Sequence, residues 1–92
     1  MVYNDKKFNF NPDIKQVIAE NIRKFRLEKG YTQEQLAEKC DLSPRYISDI
    51  ENHNGNIPID TLENIAKVLK VEPYLLIKPQ KHQDLPKRVN MK

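Results

Sequence analysis

Residues 32–52 read TQEQLAEKCDLSPRYISDIEN, and the order of capping and apolar residues in this stretch decides how the chain folds. Thr32 followed by Gln35 is a capping-box pattern: the hydroxyl accepts a backbone N–H one turn in, and the amide reaches back to the cap. Leu36, Ala37 and Cys40 then fall on one side of little more than two helical turns, which predicts a helix over about 33–40. Asp41 and Leu42 intervene. Ser43 and Pro44 open a second helix, because serine is a strong N-cap and proline at the first helical position gives up only an N–H that had no partner. Ile47 and Ile50, three apart, turn toward a core, so Pro44, Arg45, Ser48, Asp49 and Asn52 are left along the opposite side of a helix over about 44–52.

Upstream, Asp13 with Gln16 repeats the capping-box spacing, and Ile18, Ile22 and Phe25 recur at i, i+4 and i+7 until Gly30 ends a helix over about 14–29. Residues 1–13 carry aromatics and Pro12 without helical period, and read as an N-terminal arm. Downstream, Asn52, His53, Asn54, Gly55 and Asn56 make a turn-rich loop. Asp60 and Glu63 suggest another cap, and Leu62, Ile65, Ala66 and Leu69 form the stripe of a helix over about 60–70. Pro73 can open a short fifth helix through Ile77, and Pro79 stops it. Residues 79–92 are polar, basic and aperiodic, and read as a flexible tail. No β-type alternation and no internal repeat survive this reading. The expected fold is all-α, a compact five-helix bundle over residues 14–78.

Ninety-two residues with 38% hydrophobic and 32% charged content suit one compact domain. The longest apolar run, at Leu75, Leu76 and Ile77, is far short of the roughly 18 residues a membrane span requires. The first residues lack an apolar signal region, so a cytoplasmic protein without membrane association is expected. Cys40 is the single cysteine, and His53 and His82 stand at no metal-binding spacing from it. No metal or other cofactor is expected, and Cys40 reads as a small core residue. Nucleophile, base and acid do not occur in a catalytic arrangement, which argues against an enzyme. The short polar remainder after the fifth helix leaves no effector domain, so no small-molecule ligand is expected.

The formal net charge of +3 is unevenly spread. Lys15, Arg23, Lys24, Arg26 and Lys29 outnumber Glu20 and Glu28 in the first helix, and residues 65–92 are also basic. Residues 31–64 hold only Lys39 and Arg45 against seven acids. Charge alone would not point to DNA in that middle segment. Its geometry permits it: two short helices joined by a tight turn, the second with a short polar outer face, make a helix-turn-helix arrangement. A major groove about 12 Å wide admits such a helix, Arg45 near its start has the fork for guanine O6 and N7, and Asp49 one turn later is an acceptor for a cytosine amine. The plain alternative is a solvated surface helix.

The runs 32–39 and 43–52 resemble the phage repressor and Cro (XRE-type) family of helix-turn-helix transcriptional regulators. The likeness extends upstream through residues 22–31 and downstream through 60–71. It implies a lambda-repressor-like bundle that binds double-stranded DNA as a homodimer. Gln33 would bond a phosphate at the start of the second helix, with backbone donors beside it. Pro44, Arg45 and Asp49 match the family's base-contact positions, and Ser43, Ser48 and Asn52 stand beside them on the DNA side of the third helix. Pro44 would offer only apolar contact, and Tyr46 a hydroxyl to the DNA backbone with its ring on the core. Asn54 and Asn56, in the loop with Asn52, would form a second phosphate clamp that uses amides in place of positive charge. Arg26 and Glu51 match an intramolecular pair joining the first helix to the end of the third. Asp41 stands where the family usually has a glycine of positive φ, a conformation that Asp tolerates.

The resemblance leaves a restriction-modification controller, an antitoxin-like autoregulator and a phage or mobile-element repressor unseparated. A protein-interaction module that has kept the fold without binding DNA is the alternative of another class, with the acidic middle segment in its favour. For the dimer, Tyr74, Leu75, Leu76 and Ile77 are the candidate interface, because four adjacent large apolar residues on a short helix cannot all point inward. The aromatic residues of the arm are the next candidates.

Overall fold

The computed structural model describes residues 13–80. Residues 1–12 and 81–92, which hold most of the arm expected over 1–13 and of the tail expected over 79–92, lie outside the described residues. Five helices follow one another: α1 Ile14–Glu28, α2 Gln33–Cys40, α3 Pro44–Glu51, α4 Ile59–Leu69 and α5 Tyr74–Ile77. No strand occurs among the described residues, so the all-α fold expected from sequence is the one observed.

Each helix start has a local cause. Asp13 accepts the backbone N–H groups of Lys15 and Gln16 at 2.8 and 3.2 Å. The reciprocal half of that box does not form, because the Gln16 amide donates to Glu20 one turn on. At α2 both halves are present: Thr32 Oγ1 accepts from Gln35 N–H and Gln35 Oε1 accepts from Thr32 N–H. Ser43 caps α3 by accepting from Tyr46 N–H at 3.0 Å, and Pro44 follows it. At α4 the expected side-chain cap from Asp60 and Glu63 is absent. The helix begins one residue earlier, at Ile59, behind an extended Pro58 that makes no side-chain cap bond, and Asp60 lies inside the first turn. Its carboxylate there suits the positive end of the helix dipole.

The first four helices end alike. A left-handed residue reverses the chain, and its N–H and the next one return to carbonyls of the last turn, a Schellman arrangement. The reversing residues are Gly30, Asp41, His53 and Lys70, with φ of 76, 58, 66 and 61°. After α2, for example, Asp41 N–H reaches Glu38 O and Leu42 N–H reaches Ala37 O at 2.8 Å. That turn lets α3 begin with only Leu42 and Ser43 between it and the reversal. α3 itself stops at Glu51, with Asn52 as its cap.

One core results, built from Ile22 and Phe25 of α1, Leu36, Ala37 and Cys40 of α2, Ile47 and Ile50 of α3, Leu62, Ile65, Ala66 and Leu69 of α4, and Leu76 of α5. α2 packs chiefly on α3, and α1 on α5 and α3. Burial pushes the Cys40 thiol up to about 11, so it stays protonated near neutrality. Two amides close the bundle. Asn21, fully buried in α1, donates to the carbonyls of Leu76 and Lys78 at 3.0 and 2.8 Å. Asn64 of α4 donates to Cys40 O at the end of α2. Each satisfies a carbonyl that a short helix leaves open. Gln80 donates to Leu75 O, so chain that read as tail from 79 onward is still tied to α5 at this point.

Candidate nucleic-acid interface

The core-facing side of α3 is set by Ile47, Ile50 and Glu51, all buried. The outer side consequently presents Pro44, Arg45 and Asn52 exposed, with Ser48 and Asp49 half-buried beside them. Two side-chain bonds run along this face, each spanning one turn. Arg45 Nε meets Asp49 Oδ1 at 3.3 Å, and Asn52 Nδ2 donates to Ser48 Oγ at 3.3 Å. The Arg45 side chain is 86% exposed even so, and its terminal guanidinium nitrogens have no protein partner among the bonds of this face. No large apolar side chain interrupts the stripe.

Behind α3 is a buried polar junction. Glu51 takes a two-pronged bond from Arg26, Nε to Oε2 at 2.7 Å and Nη2 to Oε1 at 2.9 Å, and Arg26 Nη1 reaches the Tyr31 carbonyl at 2.8 Å. Gln33 joins it, donating from Nε2 to Glu51 Oε1 at 3.0 Å. Both charged side chains are almost fully buried, at 6% and 3% exposed. A pair so placed sets geometry more than it adds net stability, because desolvation offsets much of the attraction. One carboxylate therefore fixes α1, the start of α2 and the end of α3 relative to one another. The Gln33 amide is held at the α2 N-terminus, where the first N–H groups of the helix have no intrahelical acceptor. The sequence pointed to Gln33 but gave no sign of its bond to Glu51.

Tyr46 packs its ring against the core, and its hydroxyl lies 3.5 Å from the Asn56 carbonyl, at the limit of a hydrogen bond. This contact and the return of Asn54 N–H to Asp49 O fold the loop after α3 back onto that helix. Asn52, Asn54 and Asn56 are all exposed there. Ser43, at the head of α3, has its oxygen engaged in the cap.

The residues proposed for a dimer face divide. Tyr74 and Ile77 are exposed at 61% and 41%, and Leu75 packs partly on the core. Leu76 is wholly enclosed by its own chain, so it is removed from the candidate interface: on a one-turn helix braced by Asn21 it is the residue that faces α1. A shallow cleft of about 230 Å³ lies between the start of α1 and the loop after α3, lined by Ile14, Ile18, Ile50 and Ile57 with Lys15, Gly55 and Asn56. It is smaller than the usual ligand pocket of roughly 300–1,000 Å³. Among the described residues no group of His, Cys, Asp and Glu could hold a metal ion, and no helix is long and apolar enough to cross a membrane.

A helix-turn-helix family model, HTH_3, matches residues 22–76, which contain the whole arrangement just described. The chain belongs to that helix-turn-helix family. A hypothetical transcription factor of Neisseria meningitidis is 40% identical over 74 residues, covering 79% of this chain and 70% of the relative. Control protein C.BamHI of Bacillus amyloliquefaciens is 42% identical over 66 residues, covering 71% of this chain and 82% of the relative. Among solved structures, the biofilm master regulator SinR in complex with DNA superposes with a TM-score of 0.64 at 37% identity, covering 66% of this chain and 98% of that one. This helix-turn-helix protein is a transcriptional regulator of the DNA-binding kind.

Proposed function

We propose that this regulator binds a palindromic operator as a homodimer in the cytoplasm, with α3 of each subunit in successive major grooves about 34 Å apart. The observation that carries the reading is the outer face of α3: an unobstructed polar stripe headed by an exposed Arg45, held in place by a buried junction that also positions Gln33. In this reading Arg45 meets guanine O6 and N7, and Pro44 lies against the apolar edge of a neighbouring base. Ser43, Tyr46, Ser48, Asp49 and Asn52 complete the groove side. Gln33 and the open N–H groups of α2 bind one phosphate, and Asn54 and Asn56 another, which positions the protein without reading sequence. Amide and backbone donors of this kind suit phosphate in a segment whose net charge is acidic. Tyr74 and Ile77, with the outer part of Leu75, form the dimer face.

A second reading places the chain as the controller of a restriction-modification system. Its similarity to C.BamHI, which extends over 82% of that control protein, favours it. Selection of bound sites from a random DNA pool tests the main reading. An inverted repeat with half-sites one helical turn apart is the expected result. Absence of any enriched sequence overturns it.

A further inference from the structure

The outer charges of α3 are arranged against the helix they sit on. α2 has Glu34 in its first turn and Lys39 in its last, and α4 has Asp60 and Lys67, the placement that a helix dipole favours. α3 has no acid in its first turn and no base in its last. Arg45 instead stands near the positive end and Asp49 toward the negative end. The pair they form runs from base to acid along the chain, the poorer direction for a one-turn ion pair, which Lys24 and Glu28 of α1 share. What sets α3 apart from α1, α2 and α4 is that it has no favourable charge at either end. Helix stability therefore does not explain it. The rest of the helix is well built, with a serine cap, proline at the start and three buried residues inside, and a local rule broken within a consistent element points to function.

We infer that Asp49 is a positioning residue, whose carboxylate holds the Arg45 guanidinium in its base-reading pose and makes the preference for one base pair a property of the pair. The inference rests on the reading of α3 as the groove-entering helix. Its geometry is specific: Asp49 engages Nε, which leaves the terminal nitrogens as the fork that meets guanine O6 and N7. Arg45 is otherwise a long, exposed side chain with many rotamers to lose on binding, and a fixed partner reduces that loss. In water such a pair is weak. In a groove from which water has been displaced, the same attraction strengthens. The negative charge beside Arg45 also repels phosphates, directing the guanidinium to a base edge. Asp49, read from sequence as an acceptor for cytosine, in this account acts first through its neighbour.

The test uses the full chain and its selected operator, with each base pair of a half-site replaced in turn. Arg45→Ala identifies the base pair that Arg45 reads. Asp49→Ala is expected to lower preference at that same base pair about tenfold and to add nothing in the Arg45→Ala background. Asp49→Asn, which keeps an acceptor oxygen, is expected to restore part of the preference. Thermal midpoints should not fall, because the helix polarity improves. Loss of preference at a different base pair, additive with Arg45→Ala, would show that Asp49 reads a base itself and would overturn the inference. Unchanged preference in Asp49→Ala would overturn it as well. If Arg45→Ala keeps full preference at every position, base reading by α3 fails and the inference fails with it.

Discussion

α2 and α3 are both eight residues long, and each buries three side chains. α2 follows the rules of capping and charge at its start and of charge at its end: a complete capping box, acid first and base last. α3 keeps the cap and reverses the charges. Both lean on the same Glu51 carboxylate, α2 through Gln33 and α3 by carrying Glu51 itself. In the proposed reading the difference separates scaffold from reader: α2 is built to be a stable helix at a fixed place, whereas α3 gives up a little stability to present Arg45 and Asp49 outward. Substitutions can pull the two roles apart.

The largest effect is expected where both helices depend on one bond. Arg26→Ala or Glu51→Ala leaves its partner charged and buried, and each should lower unfolding free energy by about 3–5 kcal/mol in urea titrations. A change no larger than that of an exposed residue would mean that the junction does not hold the helices together. Next is the proposed reader: Arg45→Ala should weaken binding to the operator by ~1–3 kcal/mol. Its melting temperature should match the parent's, and random DNA should be affected much less. An equal loss on both DNAs in anisotropy titrations would reduce Arg45 to a phosphate contact.

The scaffold responds in the opposite way. Thr32→Ala removes the α2 cap and should cost ~1 kcal/mol of stability by thermal melt. The order of preferred operators should not change. The smallest effect belongs to the turn between the helices. Asp41 is left-handed at φ 58° without being glycine, so Asp41→Gly should stabilise by about 0.5 kcal/mol. Gly30→Ala, where a methyl group would meet nothing but φ is 76°, should destabilise by about 1 kcal/mol. Changes of the same sign at the two positions would show that left-handed strain is not what these residues control.

Much of this architecture was legible because the signals are local. Thr32 with Gln35 and Ser43 with Pro44 mark helix starts within four residues, and the left-handed turn at Asp41 was expected from the family resemblance, which usually has glycine at that place. Asp60 misled, since Pro58 sets the extended backbone at the start of α4 without any side-chain bond. The closing amides were invisible. Asn21 finds its acceptor 55 positions away, Asn64 24 positions and Gln33 18 positions away, and no periodicity encodes such pairs. Leu76 could not be separated from Tyr74, Leu75 and Ile77, because on a one-turn helix only the neighbouring α1 decides which residue faces inward. At the candidate site, residue types were readable and their mutual bonds were not. That Arg45 and Asp49 are adjacent followed from spacing. That they are joined required coordinates.

The central claim is that the outer face of α3 reads sequence. It is tested most directly by titrating the parent protein, at physiological salt, against its selected operator and against random duplex of equal length. Binding to the operator at least about a thousandfold tighter than to random duplex is the predicted result. Equal affinities for the two, each falling alike as salt is raised, would contradict it and leave a protein that holds only the phosphate backbone.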